Sequence, residues 1–307
     1  MKRALSPIRV ANAPCSYGAF EITVGLLPNV PDALAVLEAM AEAGYEGTEL
    51  GPPGYLGDRD ELATRLGANR LELVGGYVPI RFSEPDRLDE DLRGLEETLD
   101  YFDAAGAPDA RPVFADGGSP ERAASPGAAA TDRSVGLDDA GWRRFADGVA
   151  RAAEVARARG FRPTFHHHTA TNVEAPWEIE RMLELTDLGL LLDTGHLALG
   201  GGDPVQGLRD WGERIDHLHV KDYKRAILEG VIADRAGMDE AWRRRVFCEL
   251  GTGDVDLPAF FDAVASSGYS GWLVVEQDLI PAPDEEARDA MDAQARNRAW
   301  LSDVAGL

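Results

Sequence analysis

The chain has 307 residues, 44% of them hydrophobic, enough to bury a large core and suited to either two ordinary domains or one α/β barrel. With 54 acidic against 31 basic residues and a formal charge of −23, it repels nucleic acid and anionic membrane and has no broad field to draw in phosphorylated substrates. A neutral polyol or sugar suits such a surface better, and its two cysteines, Cys15 and Cys248, lie far apart with no CxxC spacing, so neither a disulfide scaffold nor a zinc-thiolate site is expected.

The start, MKRALSPIRV, is basic but has no apolar stretch long enough for a signal peptide, and no later run reaches the roughly eighteen residues of a membrane span. The expected compartment is the cytoplasm. Short β-type runs then alternate with helical runs along almost the whole chain. In order they are IRVANA from Ile8, GTEL from Gly47, LELVGGYV from Leu71, ARPVFAD from Ala110, RPTFHHH from Arg162, LGLLLD from Leu188, IDHLHV from Ile215 and WLVVEQD from Trp272. The segments between them mostly carry a 3.6-residue apolar stripe, as in PDALAVLEAMAEAGY with Leu34, Val36, Leu37 and Met40. Eight strands alternating with helices predict a single (β/α)8 TIM barrel over residues 1–307 rather than an open doubly wound sheet. The first run is followed by ANAPCSYGAF, without the GxGxxG of a dinucleotide fold. Two segments, 116–138 and 223–254, are too long for plain connectors and are expected to be lid loops over the barrel mouth, with surface disorder the plain alternative for the first.

All six histidines fall between His166 and His219, in three groups placed where apolar runs end: HHH, DTGH and HLH. Strand parity tests whether they converge. His166 and His168 share one face and His167 takes the other; Asp193 shares a face with Leu191, His217 with His219, and Glu276 with Trp272 and Val274. Each candidate is the last inward residue before its strand turns out, which is where barrel enzymes keep their chemistry. Asp193, His219, Glu276 and one of His166 or His168 therefore predict one divalent ion, and mixed carboxylate and imidazole ligation suits Mn, Co, Mg or Zn. For Asp193 the plain reading is a helix cap. His217 is read as orienting a neighbour or closing the barrel floor.

The motifs DTGH, HLHVKD and GYSGWLVVEQD resemble the sugar phosphate isomerase and epimerase superfamily, the xylose isomerase-like TIM barrels, over nearly the whole chain. Within it, HHH, DTGHLALGGGDP and HVKD are most similar to the inosose dehydratase group. The resemblance implies ligands at Asp193, His219 and Glu276, with His166 or His168 where the epimerases carry a glutamate on strand five. Two facing glutamates suit epimerisation, which needs a proton carrier on each side of the substrate. A histidine in place of one suits removal of an α proton from a ketone and expulsion of a β hydroxyl, with the metal stabilising the enolate.

The implied protein is a metal-dependent lyase that dehydrates an inosose, with manganese the favoured ion. Glu276, His196, Lys221 and His168 are its catalytic candidates, and Glu49, His196, Lys221 and Tyr17 its substrate contacts. Lys221 is notable because the chain has only three lysines, although a salt bridge to Asp222 is its plain reading. Tyr55 joins Tyr17 as a rim contact, and the glycines of GTGD at Gly251 and GGGDP at Gly200 imply no phosphate site. A homodimer or homotetramer is expected by resemblance. The alternatives are an aldose-ketose isomerase or ketose 3-epimerase on the same scaffold, and a non-catalytic sugar-binding barrel or complex subunit. Nuclease chemistry is disfavoured by the acidic charge and the single metal set.

Overall fold

A computed structural model describes residues 8–307; the MKRALSP start, and the reading made of it, lie outside the described residues. Eight parallel strands close on themselves: β1 (Ile8–Asn12), β2 (Gly47–Glu49), β3 (Glu72–Ile80), β4 (Arg111–Asp116), β5 (Thr164–His166), β6 (Gly189–Asp193), β7 (Ile215–Val220) and, last in sequence, β10 (Gly271–Val275), which pairs with both β1 and β7. Two further strands, β8 (Asp222–Tyr223) and β9 (Phe247–Cys248), form a small antiparallel ribbon beside the barrel.

The helices are α1 (Ala33–Ala43), α2 (Leu62–Asn69), α3 (Pro85–Ala104), α4 (Pro120–Ala123), α5 (Asp139–Ala158), α6 (Pro176–Leu185), α7 (Thr194–Leu199), α8 (Pro204–Trp211), α9 (Arg225–Ala233), α10 (Met238–Arg243), α11 (Leu257–Ser267) and α12 (Ala287–Ala305). Their ends follow local chemistry. Asp32 caps α1 by accepting from Leu34 N, and Gly44 closes it with φ 89°, a left-handed turn that glycine takes without strain. Ala33, Val36, Leu37 and Met40 are its buried stripe, whereas Leu34 is 47% exposed; it belongs to the solvent face, one position off the 3.6-residue repeat.

Phe82 packs with Phe114 on β4, Phe165 on β5 and Phe145 of α5, and Phe145 packs with Phe165, at centroid distances of 5.4 to 6.2 Å. A separate small cluster of Ala11, Ala13, Val74 and Val274 fills part of the structure with Trp272 beside it.

The two long segments are ordered, and they differ in what they touch. In the first, Arg122 on α4 is buried and donates to Glu174 and Glu178, tying 117–135 to the loop after β5. Its residues Gly117, Gly118, Ser119, Pro120 and Ala123 border a surface cavity with Arg81 and Ala170. The second carries α9 and α10, and its Trp242 stacks on Phe20 at 5.6 Å. The GTGD turn is explained within the chain: the Asp222 carboxylate accepts from Gly251, Gly253 and Val255 N–H groups at 2.9, 2.9 and 3.1 Å. Among the described residues, no helix is long and apolar enough to cross a membrane.

Candidate active site and metal centre

β5, β6, β7 and β10 end side by side, and the site grows out of that register. Asp193 pairs with His219 across β6 and β7, and His219 with Val274 across β7 and β10, so Glu276 emerges next to both. One ligand atom from each of His166, Asp193, His219 and Glu276 lies within 4.8 Å of the others, and all four residues are buried. His166 Nε2 is 4.0 Å from Asp193 Oδ2, and His219 Nδ1 lies 3.7 Å from Asp193 Oδ2 and 2.7 Å from Glu276 Oε2. Asp193 Oδ1 caps α7, accepting from His196 N at 2.9 Å, while Oδ2 faces the cluster and accepts from Lys221 Nζ.

The triple histidine divides by parity. His166 and His168 line the same cavity, while His167 points away and its Nε2 accepts from Asp193 N at 3.1 Å, bracing that residue's backbone. β5 is shorter than its sequence suggested, ending at His166, so His168 stands in the following turn, where its Nδ1 is 2.9 Å from Thr169 O. Of the two, it is His166 that approaches the carboxylates.

Lys221 is buried. Its ammonium lies 2.8 Å from Asp193 Oδ2, contacts Glu276 Oε2, and is 3.5 Å from Asp278 Oδ1. The expected partner Asp222 is instead spent on the GTGD turn, because alternation sends it to the opposite face of the chain from Lys221. His196 is also displaced from its expected place. It lies behind His168, ring centroids 3.9 Å apart, with Nδ1 2.7 Å from Thr169 Oγ1 and Nε2 3.3 Å from Asp278 Oδ2, and it does not border the cavity. Tyr17 is fully buried and borders a different cavity, next to Gln277 and α12; Tyr55 donates to Pro31 O at 2.8 Å. Neither tyrosine is a rim contact, since the turn after β1 directs Cys15 and Phe20 to the mouth in place of Tyr17.

The charges are strongly coupled. Burial alone would raise the Glu276 carboxyl, yet the neighbouring His219 and Lys221 charges hold it at about 2. Burial opposes charge on His219 too, but Glu276 and Glu49 push that ring up to about 10. Burial lowers His166 and His168, so these imidazoles are neutral. His166 Nδ1 and His219 Nδ1 are buried without a hydrogen-bond partner of good geometry, the latter 2.7 Å from Glu276 Oε2. An orphaned ring nitrogen converging with two carboxylates and a second imidazole fits a divalent ion of borderline hardness, so the residues present suit such a group.

The cavity above this cluster measures about 290 Å³. Its floor is polar, with Glu49, His166, His168, His219, Lys221 and Glu276, and its roof is made by Phe20, Ile22 and Trp242. Among the described residues no arginine borders it, and the one lysine that does, Lys221, is held by carboxylates. Sequence reasoning passed over Asp278, Phe20, Tyr77 and Trp242; only Asp278 carried a signal, standing two residues after Glu276 and hence on its face.

The sequence profile of the family described as "Xylose isomerase-like TIM barrel" matches residues 37–297. A protein of Geobacillus kaustophilus named inosose dehydratase is 32% identical over 289 residues, covering 92% of this chain and 91% of that one. Among solved structures, a protein called IOLI with a bound zinc atom superposes with TM-score 0.69 at 15% identity, covering 97% of this chain and 98% of that one. An L-ribulose 3-epimerase superposes with TM-score 0.69 at 17% identity, covering 97% and 95%. Likeness at those identities speaks for the fold.

Proposed function

We infer that this chain, which belongs to the xylose isomerase-like TIM barrel family, is an inosose dehydratase that removes water from a cyclic keto-polyol at a centre built for one divalent ion. It is an enzyme of lyase or isomerase type, not an idle sugar-binding barrel. The observation that carries the dehydratase reading is His166 standing where a facing glutamate would serve epimerisation, clustered with Asp193, His219 and Glu276. The kinship to a protein of that name over nine-tenths of the chain supports it.

In this reading the four clustered residues hold the ion, with manganese our proposed choice, and the ion when bound supplies positive charge beside the substrate's carbonyl oxygen. The chain's own residues do the rest. His168, neutral and with its Nδ1–H given to Thr169 O, keeps a lone pair on Nε2 and takes the proton α to the ketone. His196 backs it, stacked at 3.9 Å, as a positioning residue rather than a substrate contact. The C–H electron pair passes into the enolate and then expels the β hydroxyl, which leaves as water with a proton from Lys221. His168 gives its proton to solvent and Lys221 is reprotonated, closing the balance. Glu276 and Asp193 keep the Lys221 ammonium charged at the cavity floor, since both are hydrogen-bonded to it. The roof of Phe20 and Trp242 lies against the C–H faces of the ring and keeps water from the enolate, and we read the 223–254 segment that carries Trp242 as the cover.

The test is incubation of manganese-loaded protein with 2-keto-myo-inositol while following the ultraviolet absorbance of an enolised dione. A metal-dependent rise is expected. The isomerase or epimerase alternative predicts uptake of solvent deuterium into substrate with no absorbance change, and that outcome refutes the dehydratase.

A further inference from the structure

We propose that Glu49 is a positioning residue for the metal centre: one of its oxygens sets the proton of His219 on Nε2 and thereby turns His219 Nδ1 toward the ligand position. The proposal rests on the metal reading above and replaces the substrate-binding role expected of Glu49.

Glu49 Oε1 lies 2.9 Å from His219 Nε2 and 3.3 Å from His217 Nε2, so a single oxygen receives two imidazole nitrogens. An ionised carboxylate only accepts, and each Nε2 must therefore carry its hydrogen. A ligating imidazole has one nitrogen protonated and one free, which leaves His219 with Nδ1 as the donor atom. That is the nitrogen 2.7 Å from Glu276 Oε2, buried and without a hydrogen-bond partner.

The backbone is arranged for this contact. The β2–β3 pairing shifts register between Thr48 and Glu49, a bulge that re-aims the Glu49 side chain. The residue it passes, Gly75, has no room for more: a Cβ there would lie 3.2 Å from Glu49 Oε1 and 3.0 Å from Arg111 O. β2 is separated from β7 by β1 and β10 in the strand order, so the carboxylate reaches His219 across the barrel interior rather than along a ladder. The extra negative charge also makes the ring a stronger donor to a metal, as carboxylate–histidine pairs behind zinc ligands do.

The experiment titrates zinc, chosen because it is diamagnetic, into metal-free wild type, E49A and E49Q by calorimetry at one pH. It also records two-bond hydrogen–nitrogen spectra of the zinc-loaded, histidine-labelled wild type. Expected are a His219 proton on Nε2, zinc affinity roughly 10–100-fold weaker in E49A, and partial recovery in E49Q, whose carboxamide oxygen still accepts but lacks the charge. Circular dichroism of the metal-free variants checks that they fold, and the wild-type spectrum decides the tautomer even if E49A does not. Zinc affinity in E49A within about twofold of wild type, or a zinc-loaded His219 with its proton on Nδ1, overturns the proposal. A wild type that takes up no zinc overturns the metal reading itself.

Discussion

Replacing Arg122 by alanine tests what holds the loop behind the triple histidine. Arg122 is 4% exposed and donates to Glu178 Oε1 and Oε2 at 3.1 and 3.0 Å and to Glu174 Oε2 at 3.3 Å. The two glutamates are as deeply buried, and they in turn accept from the backbone of Gly127, Ala170, Glu174 and Ala175. Removing the guanidinium strands two buried carboxylates, a change that costs about 3–5 kcal/mol. An unfolding entropy of about 2.1 cal/mol/K per residue over this length turns that into a melting point about 5–8 °C lower.

The deficit should depend on pH in a definite direction. Burial already raises the Glu174 carboxyl in the intact protein, and loss of the Arg122 charge raises it further. A carboxyl raised on folding contributes stability below its unfolded pKa and loses it as pH rises through the folded value. The variant should therefore be further below wild type at about pH 8 than at about pH 5 when melted in parallel by calorimetry. A triple variant, R122M with E174Q and E178Q, should recover most of the loss, since neutral groups of similar shape leave no charge behind. A melting point for R122A within about 2 °C of wild type, or a deficit that does not change with pH, refutes the argument.

The fourth ligand is decided by comparing H166A with H168A: manganese affinity measured by calorimetry should fall at least about 100-fold in the first and stay near wild type in the second, whose loss should appear in kcat. Asp116 accepts from Gly118 N, Asn172 N and Asn172 Nδ2 through one oxygen while the other is buried and unpartnered, and burial pushes its carboxyl up to about 6. Its ionisation thus removes stability between about pH 4 and pH 6, so D116N should be more stable than wild type above that window, by at most about 3 kcal/mol in unfolding free energy, and show no such gain below it. Trp242→Ala removes the stack on Phe20 and should raise KM for a cyclic ketone, with manganese affinity unchanged; a KM that does not move would dismiss the roof as a substrate surface.

Much of the molecule could be read along the chain. Each of the eight barrel strands begins within two residues of its apolar run, and Asp193, His219 and Glu276 stand at strand ends because period-two alternation and chain order are one-dimensional properties. Parity likewise separated His167 from His166 and His168. It could not choose between those two, which share a face; the choice depends on where β5 stops, and pairing with its neighbours stops it at His166. Nor could it find the partners of Lys221, which alternation allows to be any group on the inner face; barrel closure brings Asp193 and Glu276 to it from the strands on either side. Glu49 shows the limit most clearly. Its contact with His217 and His219 spans 168 and 170 positions and needs a register shift and a glycine on the adjacent strand. Local sequence determines which way a side chain faces and in what order the strands occur, whereas the distance between side chains facing one another across the interior is a property of the closed barrel alone.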